Sequence, residues 1–455
     1  MHEAMERDQP LTPGGRLFVQ PLMDQVINCA VAVEFPIDDV EAFKAEVRSS
    51  ILLQHPRFCS LMVTDSCGRE HWRKTQVIVR YQPLSDDIHI SDDDAVNDFI
   101  AELSVSSPLP TDKPLWEIHL LLAHKTVLFR LHHALGDGIS LMSMLLSCCR
   151  RVDDPSQPPT IGGVGAASSS PRRRRRWSVW TLVKVVWYTL VLFLEFSLRA
   201  LCLRDKTTAV SGGDGVELWP RRLASARFRL DDMKIVKRAV ADATINDVLF
   251  GLISCGLSRY LDIKSPKALP EGLRITGIAM VNLRPQAGLQ DIRKLINSKS
   301  GTCWGNKFGT LLLPVYYHSS GSDPLQFVKR AKTMIDKKKL SLEAPFSYKV
   351  GDLVMSLFGP KLASILNYRI VCNTTFTMSN VVGPREEITM AGNRVKHIRT
   401  TSSSLPHALT MHMVSYAGFA DMQILVAKDI IPDPKVLAHC FQNALLEMKE
   451  AATKS

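Results

Sequence analysis

His132-His133-Ala134-Leu135-Gly136-Asp137-Gly138 sets two imidazoles, a carboxylate and two glycines in one short turn. Its flanks say what kind of turn it is. Leu115 to Leu122 and Thr126 to Leu131 are apolar runs joined by Ala123-His124-Lys125, the pattern of two paired strands. Ile139 to Cys149 is a mostly apolar stretch that predicts a buried helix. The heptapeptide is therefore read as a strand-to-helix connection. Side chains alternate at a strand end, so His132 and His133 point to opposite faces: one is held inside and one reaches a cavity. Gly136 and Gly138 permit a tight backbone path there.

Two readings of the turn follow. A near-neutral imidazole can take a hydroxyl proton as the oxygen attacks a carbonyl, the task of a general base in acyl transfer. In the plainer reading the histidines are a satisfied pair and Asp137 is the N-cap of the next helix.

A chain of 455 residues exceeds one ordinary core, so two domains are expected. Hydrophobic content of 45% with 22% charge fits globular α/β material and argues against overall disorder. The ten cysteines include no CxxC and no metal-ligand spacing, which suits free thiols in a reducing compartment. Residues 1–16 are polar and lack the apolar segment of a signal peptide. Of the net charge of +11, five charges sit in Arg172 to Arg176. Nucleic-acid binding would need basic residues spread over a folded face; one linear block beside an apolar segment favours an anionic membrane surface.

Asp153 to Ser170 is a Pro-, Gly-, Ala- and Ser-rich linker, and Trp177 to Leu203 is dominated by Trp, Val, Leu and Phe. Lys184, Glu195 and Arg199 interrupt that segment. On a helical wheel Glu195, Tyr188 and Arg199 fall within about 60° of Lys184, a narrow polar stripe. Such a helix lies in a membrane interface, or turns its stripe onto the protein's own body. Domains are expected at 1–152 and 217–455, with 153–216 holding the linker, the basic run and the membrane-associated helix at 177–203.

Beyond Glu217, strands are predicted near Ala226 to Leu230, Ile275 to Asn282, Phe308 to Tyr317, Thr374 to Asn380, Met411 to Ala417 and Met422 to Ala427. Helices are predicted over Asp231 to Ala241, Thr244 to Leu261, Ser322 to Leu340 and Asp433 to Ala451. This irregular alternation implies mixed sheets with covering helices, an α/β fold that is not doubly wound.

Several short motifs join the heptapeptide: Pro114-Leu115-Trp116, Asn246-Asp247, Val281-Asn282-Leu283-Arg284-Pro285, Gly305-Asn306-Lys307-Phe308-Gly309 and Ser379-Asn380-Val381-Val382-Gly383-Pro384. His55-Pro56-Arg57-Phe58 lies near the start and Ser415-Tyr416-Ala417-Gly418 near the end. Each has a structural reading. Thr244 to Asp247 is close to a helix capping box, Trp116 is a core or tunnel aromatic, and the Asn-bearing segments are turns beside strands. In this order and spacing the set resembles the wax ester synthase/diacylglycerol acyltransferase family, in its plant branch, from about Gly14 to Met448.

The resemblance implies two domains similar to coenzyme A-dependent acyltransferases, with the active site in a tunnel between them. It makes His133 the general base, with His132 and Asp137 holding the motif's geometry and Asp137 in a structural ion pair. Gly138, Asn246, Asp247, Asn306, Ser379 and Asn380 are the expected substrate-binding or supporting residues. The implied partners are acyl-CoA, a long-chain alcohol and diacylglycerol; acyl-CoA is a substrate, and neither cofactor nor metal is expected. Wax ester synthesis is the expected activity, with triacylglycerol synthesis beside it. The expected place is the endoplasmic reticulum membrane, with the plasma membrane as alternative. Because one shared tunnel needs both halves on the cytosolic side, a single span through 177–203 is disfavoured. The rivals are an acyltransferase for small hydroxylated metabolites, whose DFGWG-like segment is absent, and a non-catalytic lipid-binding protein.

Overall fold

The structure is a computed structural model that describes residues 8–75, 82–83, 93–106, 108–160, 179–266, 268–284, 304–319, 323–403 and 405–454. The strand Val26–Val33, buried at every position, lies in the middle of a seven-stranded sheet. On one side it pairs antiparallel with Thr126–His132, which pairs with Trp116–Leu121 and then Gln82–Pro83. On its other side it pairs with Asn393–Ser402, followed by Ile388–Met390 and Cys149–Arg151. A continuous apolar run suits a strand covered on both faces.

The second sheet has six strands in the order Phe308–Tyr316, Arg274–Asn282, Phe376–Val382, Leu409–Tyr416, Phe419–Ala427 and Arg221–Arg229. The two contacts made by Phe376–Val382 are parallel and the others antiparallel. Helices Ile245–Lys264, Pro324–Leu340 and Pro434–Lys454 cover one face, burying Leu249, Ile253, Val328 and Phe441 against Phe376, Met411 and Ile424. A third sheet, of Gln9–Pro10, Ser60–Thr64 and Glu70–Lys74, is small.

The mixed α/β class is as expected, but the division at 217 is crossed. Residues 388–402 leave the second half and supply two strands to the first sheet. The halves are also joined by packing, since Val414 and Tyr416 sit in the same core as Leu135 and Phe58. A smaller cluster sets Phe18 and Met23 with Ile278 and Leu312.

The expected helix at 177–203 runs over Val179–Leu201. The Arg199 end of its polar stripe faces the protein, whereas Lys184 is exposed: Arg199, 2% exposed, binds the Asn373 carbonyl at 2.7 Å, Thr276 Oγ1 at 2.7 Å and Asp205 at 3.0 Å. The opposite face leaves Trp180, Val186, Trp187, Leu190 and Leu194 exposed. No helix among the described residues is long and apolar enough to cross a membrane. The helix is thus docked on the body through the Arg199 end of its stripe, with its apolar face left open. The run Arg172 to Arg176 lies outside the described residues.

Candidate active site

Strand alternation separates the two histidines as expected. The backbone N–H of His132 bonds the Leu115 carbonyl at 3.0 Å and that of His133 the Gln25 carbonyl at 2.8 Å, so the sheet ladder fixes both. The buried His132 ring lies 2.8 Å from Asp24 through Nε2, and its Nδ1 accepts from the Ala134 N–H at 3.1 Å. Both of its nitrogens are thus used within the protein.

His133 is different. The residue is half-buried, and its ring stacks on Phe18 with centroids 3.9 Å apart. The Asn306 amide donates through Nδ2 to the His133 carbonyl at 2.8 Å, which turns Oδ1 toward His133 Nδ1 at 3.1 Å. An amide oxygen only accepts, so the ring proton belongs on Nδ1 and Nε2 carries the free lone pair. Desolvation is the main influence on this imidazole and pushes it down to about 4, against weaker upward pulls from its own carbonyl, Asp137 and Asn306. At neutral pH the ring is a neutral acceptor.

Asp137 builds the frame. Its Oδ1 caps the helix Gly138–Ser147 through the Ser140 N–H at 3.1 Å, while Oδ2 receives Arg284 Nη1 at 2.6 Å and the Lys307 N–H at 2.9 Å. Arg284 is the ion-pair partner that the sequence did not identify. The loop at 304–307 grips the same turn elsewhere: Trp304 Nε1 donates to the Leu135 carbonyl at 2.8 Å and Ser140 Oγ to the Gly305 carbonyl at 3.3 Å. Gly305 has φ +111°, a conformation that favours glycine. Gly14 is needed for room, because a Cβ there would meet Asn306 Cβ at 2.6 Å. Gly136 and Gly138 do not adopt left-handed backbone. They are small because Ser140 and Val381 lie close, at 3.0 and 3.1 Å from where their Cβ atoms would be.

The other predicted residues fall into two groups. Ser379 and Val381 share the strand face that meets the first half, with Val381 against Gly138. Asn380 points to the helix-covered face, where its Nδ2 donates to Asn246 Oδ1 at 3.0 Å. Asp247 is buried in a capping box with Thr244. Asn246, Asp247 and Asn380 thus form a second group, apart from the one that holds His133. The structure also adds residues that sequence reasoning missed: Phe18, Asp24, Gln25 and Trp304. Asp24-Gln25 stands directly before the unbroken apolar run of Val26–Val33, and that run was the available signal.

Beside Gly138 a narrow apolar cavity of 60 Å³ runs between the first sheet and the helix Gly138–Ser147, lined by Leu131, Leu141, Leu145 and Val381. A larger cavity, of 580 Å³, lies between Val179–Leu201 and Pro324–Leu340. Its lining does not include His133, so the chemistry is placed at the imidazole.

Residues 92–249 match the family model described as the wax ester synthase/diacylglycerol acyltransferase catalytic domain, and residues 304–449 match the WS/DGAT C-terminal domain. Wax ester synthase/diacylglycerol acyltransferase 11 of Arabidopsis thaliana is 34% identical over 98% of this chain and 95% of its own length. Wax ester synthase/diacylglycerol acyltransferase 2 of the same plant is 34% identical over 99% and 97%. The chain belongs to the wax ester synthase/diacylglycerol acyltransferase family. It is accordingly an acyl-CoA-dependent O-acyltransferase. Among solved structures, the wax ester synthase/diacylglycerol acyltransferase from Marinobacter aquaeolei VT8 aligns with a TM-score of 0.60 at 17% identity, covering 98% of this chain and all of that one. The first condensation domain of the calcium-dependent antibiotic synthetase aligns at 0.57 and 14% identity over 98% and 97%. At these identities the likeness is one of fold.

Proposed function

We propose that this acyltransferase moves a fatty acyl group from acyl-CoA to the hydroxyl of a long-chain alcohol, and also of diacylglycerol, with His133 as general base. The observation that carries the base assignment is the Asn306 clamp, which holds the Nδ1 proton and leaves Nε2 bare. As the hydroxyl oxygen bonds to the thioester carbon, Nε2 takes its proton and the carbonyl π pair moves onto oxygen. The pair returns, the carbon–sulfur bond breaks, and the imidazolium gives its proton to the thiolate. His132 and Asp137 hold the turn, and Gly138 leaves space for the acyl group beside Val381. Ser379 lies on the same strand face as Val381, whereas Asn246, Asp247 and Asn380 support the neighbouring strand.

The apolar lining of the small cavity beside Gly138 supports an apolar group there over a polar one. The exposed apolar face of Val179–Leu201 supports a seat on the cytosolic side of the endoplasmic reticulum membrane, where both lipid substrates dissolve. Arg172 to Arg176 would add attraction to anionic lipid.

Microsomes supplied with labelled palmitoyl-CoA and either hexadecanol or dioleoylglycerol test the reading. Wax ester is the expected main product. His133→Ala should lower turnover by about 10²–10⁴-fold with the protein still folded. Wild-type turnover in that variant would remove the base assignment.

A further inference from the structure

The developing oxyanion needs a donor, and the second sheet presents one. Side chains alternate along Phe376–Val382 and Leu409–Tyr416. Phe376, Met378, Met411 and Met413 point into the core of the second half. On the other face, Val414 and Tyr416 enter the core that contains Leu135, and Val381 meets Gly138. Parallel pairing sets Ser379 beside His412 and Val381 beside Val414. His412 therefore shares the face of Val414 and Tyr416 and looks toward the catalytic turn. It is near enough to His133 that charge on one ring disfavours charge on the other.

His412 is half-buried, and its Nδ1 is buried with no hydrogen-bond partner among the described residues. A buried N–H without an acceptor is costlier than an acceptor without a donor, so the proton belongs on Nε2. Burial, helped by His133, pushes the ring down to about 4, so it is neutral at pH 7. The result is a neutral N–H donor on the strand face that meets the half carrying the base.

We infer that His412 is a catalytic residue whose Nε2–H binds the acyl carbonyl oxygen as negative charge develops on it. The inference rests on the acyl-transfer reading above. His133 takes and returns the travelling proton; His412 keeps its own and stabilises the oxygen between bond formation to the acceptor and loss of the thiolate.

Two substitutions test it, both assayed with palmitoyl-CoA and hexadecanol beside wild type and His133→Ala, with melting curves for each. His412→Phe removes the donor and should lower kcat by about 10²–10³-fold while KM for palmitoyl-CoA moves by less than about threefold. His412→Gln restores an N–H and should recover about tenfold or more of that loss. Should the Phe variant melt below wild type, His412→Leu takes its place as the donor-free arm. The inference is overturned if the donor-free variant keeps wild-type kcat, or if the Gln variant is equally impaired while melting normally. Absence of ester from wild type, or full turnover by His133→Ala, would instead overturn the acyl-transfer reading and this inference with it.

Discussion

Asp137 and Asp247 are both buried, and both lie at the start of a helix. Their neighbourhoods differ. Asp247 accepts from the Thr244 N–H at 2.6 Å and the Thr244 hydroxyl at 2.8 Å, so both of these carboxylate bonds go to one residue three positions away. Asp137 makes one local cap bond, and its other oxygen ties in Arg284 and Lys307 from 147 and 170 residues away. The first carboxylate organises one helix turn, whereas the second gathers distant segments around His133. Similar local sequence thus yields a cap in one place and the frame of a reaction site in the other.

The largest expected break in that contrast is Asp137→Asn. It removes the charge that Asp137 sets against Arg284, which is only 8% exposed, and should cost about 1.5–3 kcal/mol in denaturant unfolding, with activity falling alongside. A loss no larger than that of an ordinary cap would make the two aspartates equivalent. Asn306→Ala comes next: with the ring and its tautomer no longer held, kcat should fall by about 10²-fold at nearly unchanged melting temperature. An unaltered kcat would show that stacking on Phe18 suffices to aim His133.

Acid sharpens the comparison differently. His55, His397 and His407 are pushed down to about 3 and His133 to about 4, each chiefly by burial. The unfolded chain then binds more protons than the native protein below about pH 6.5, so stability should fall as pH drops from there toward about 3. The acid limb of kcat/KM should likewise lie near pH 4; a limb near 6.5 would mean a solvated His133. Asp247→Ala is the smallest change, costing about 1 kcal/mol as a lost cap while turnover per folded molecule holds. A turnover loss beyond the unfolded fraction would bring Asp247 into the site.

Much of this was legible because the signals were local. Alternation and apolar runs located Thr126–His132 and Phe308–Tyr316, and the strand-to-helix turn placed His133 at its end. Thr244 and Asp247 read correctly as a capping box from their spacing. What depended on distant pairing was hidden. Asn393–Ser402 is a polar, charged sequence that becomes a strand because it lies beside Val26–Val33. The helix Glu343–Cys372 carries Pro360 and breaks its dihedrals at Gly359, so it showed no clean period. Asn306 sits in a turn that lacks any local reason to face a histidine 173 positions earlier. His412 looks like one polar residue among methionines until its strand is seen to face two cores at once.

The return of Asn393–Ser402 to the first sheet also has a consequence for biosynthesis. At roughly 5–20 residues per second, a ribosome needs roughly 20–70 s to make the chain between Val33 and Ser402. Throughout that interval Val26–Val33 has at least one open edge, and the loop that grips His133 is itself among the later segments to emerge. An apolar strand with an unpaired edge invites wrong partners. The nascent first half is therefore the stage at which this protein would most need a chaperone, and a fragment ending before residue 388 should aggregate.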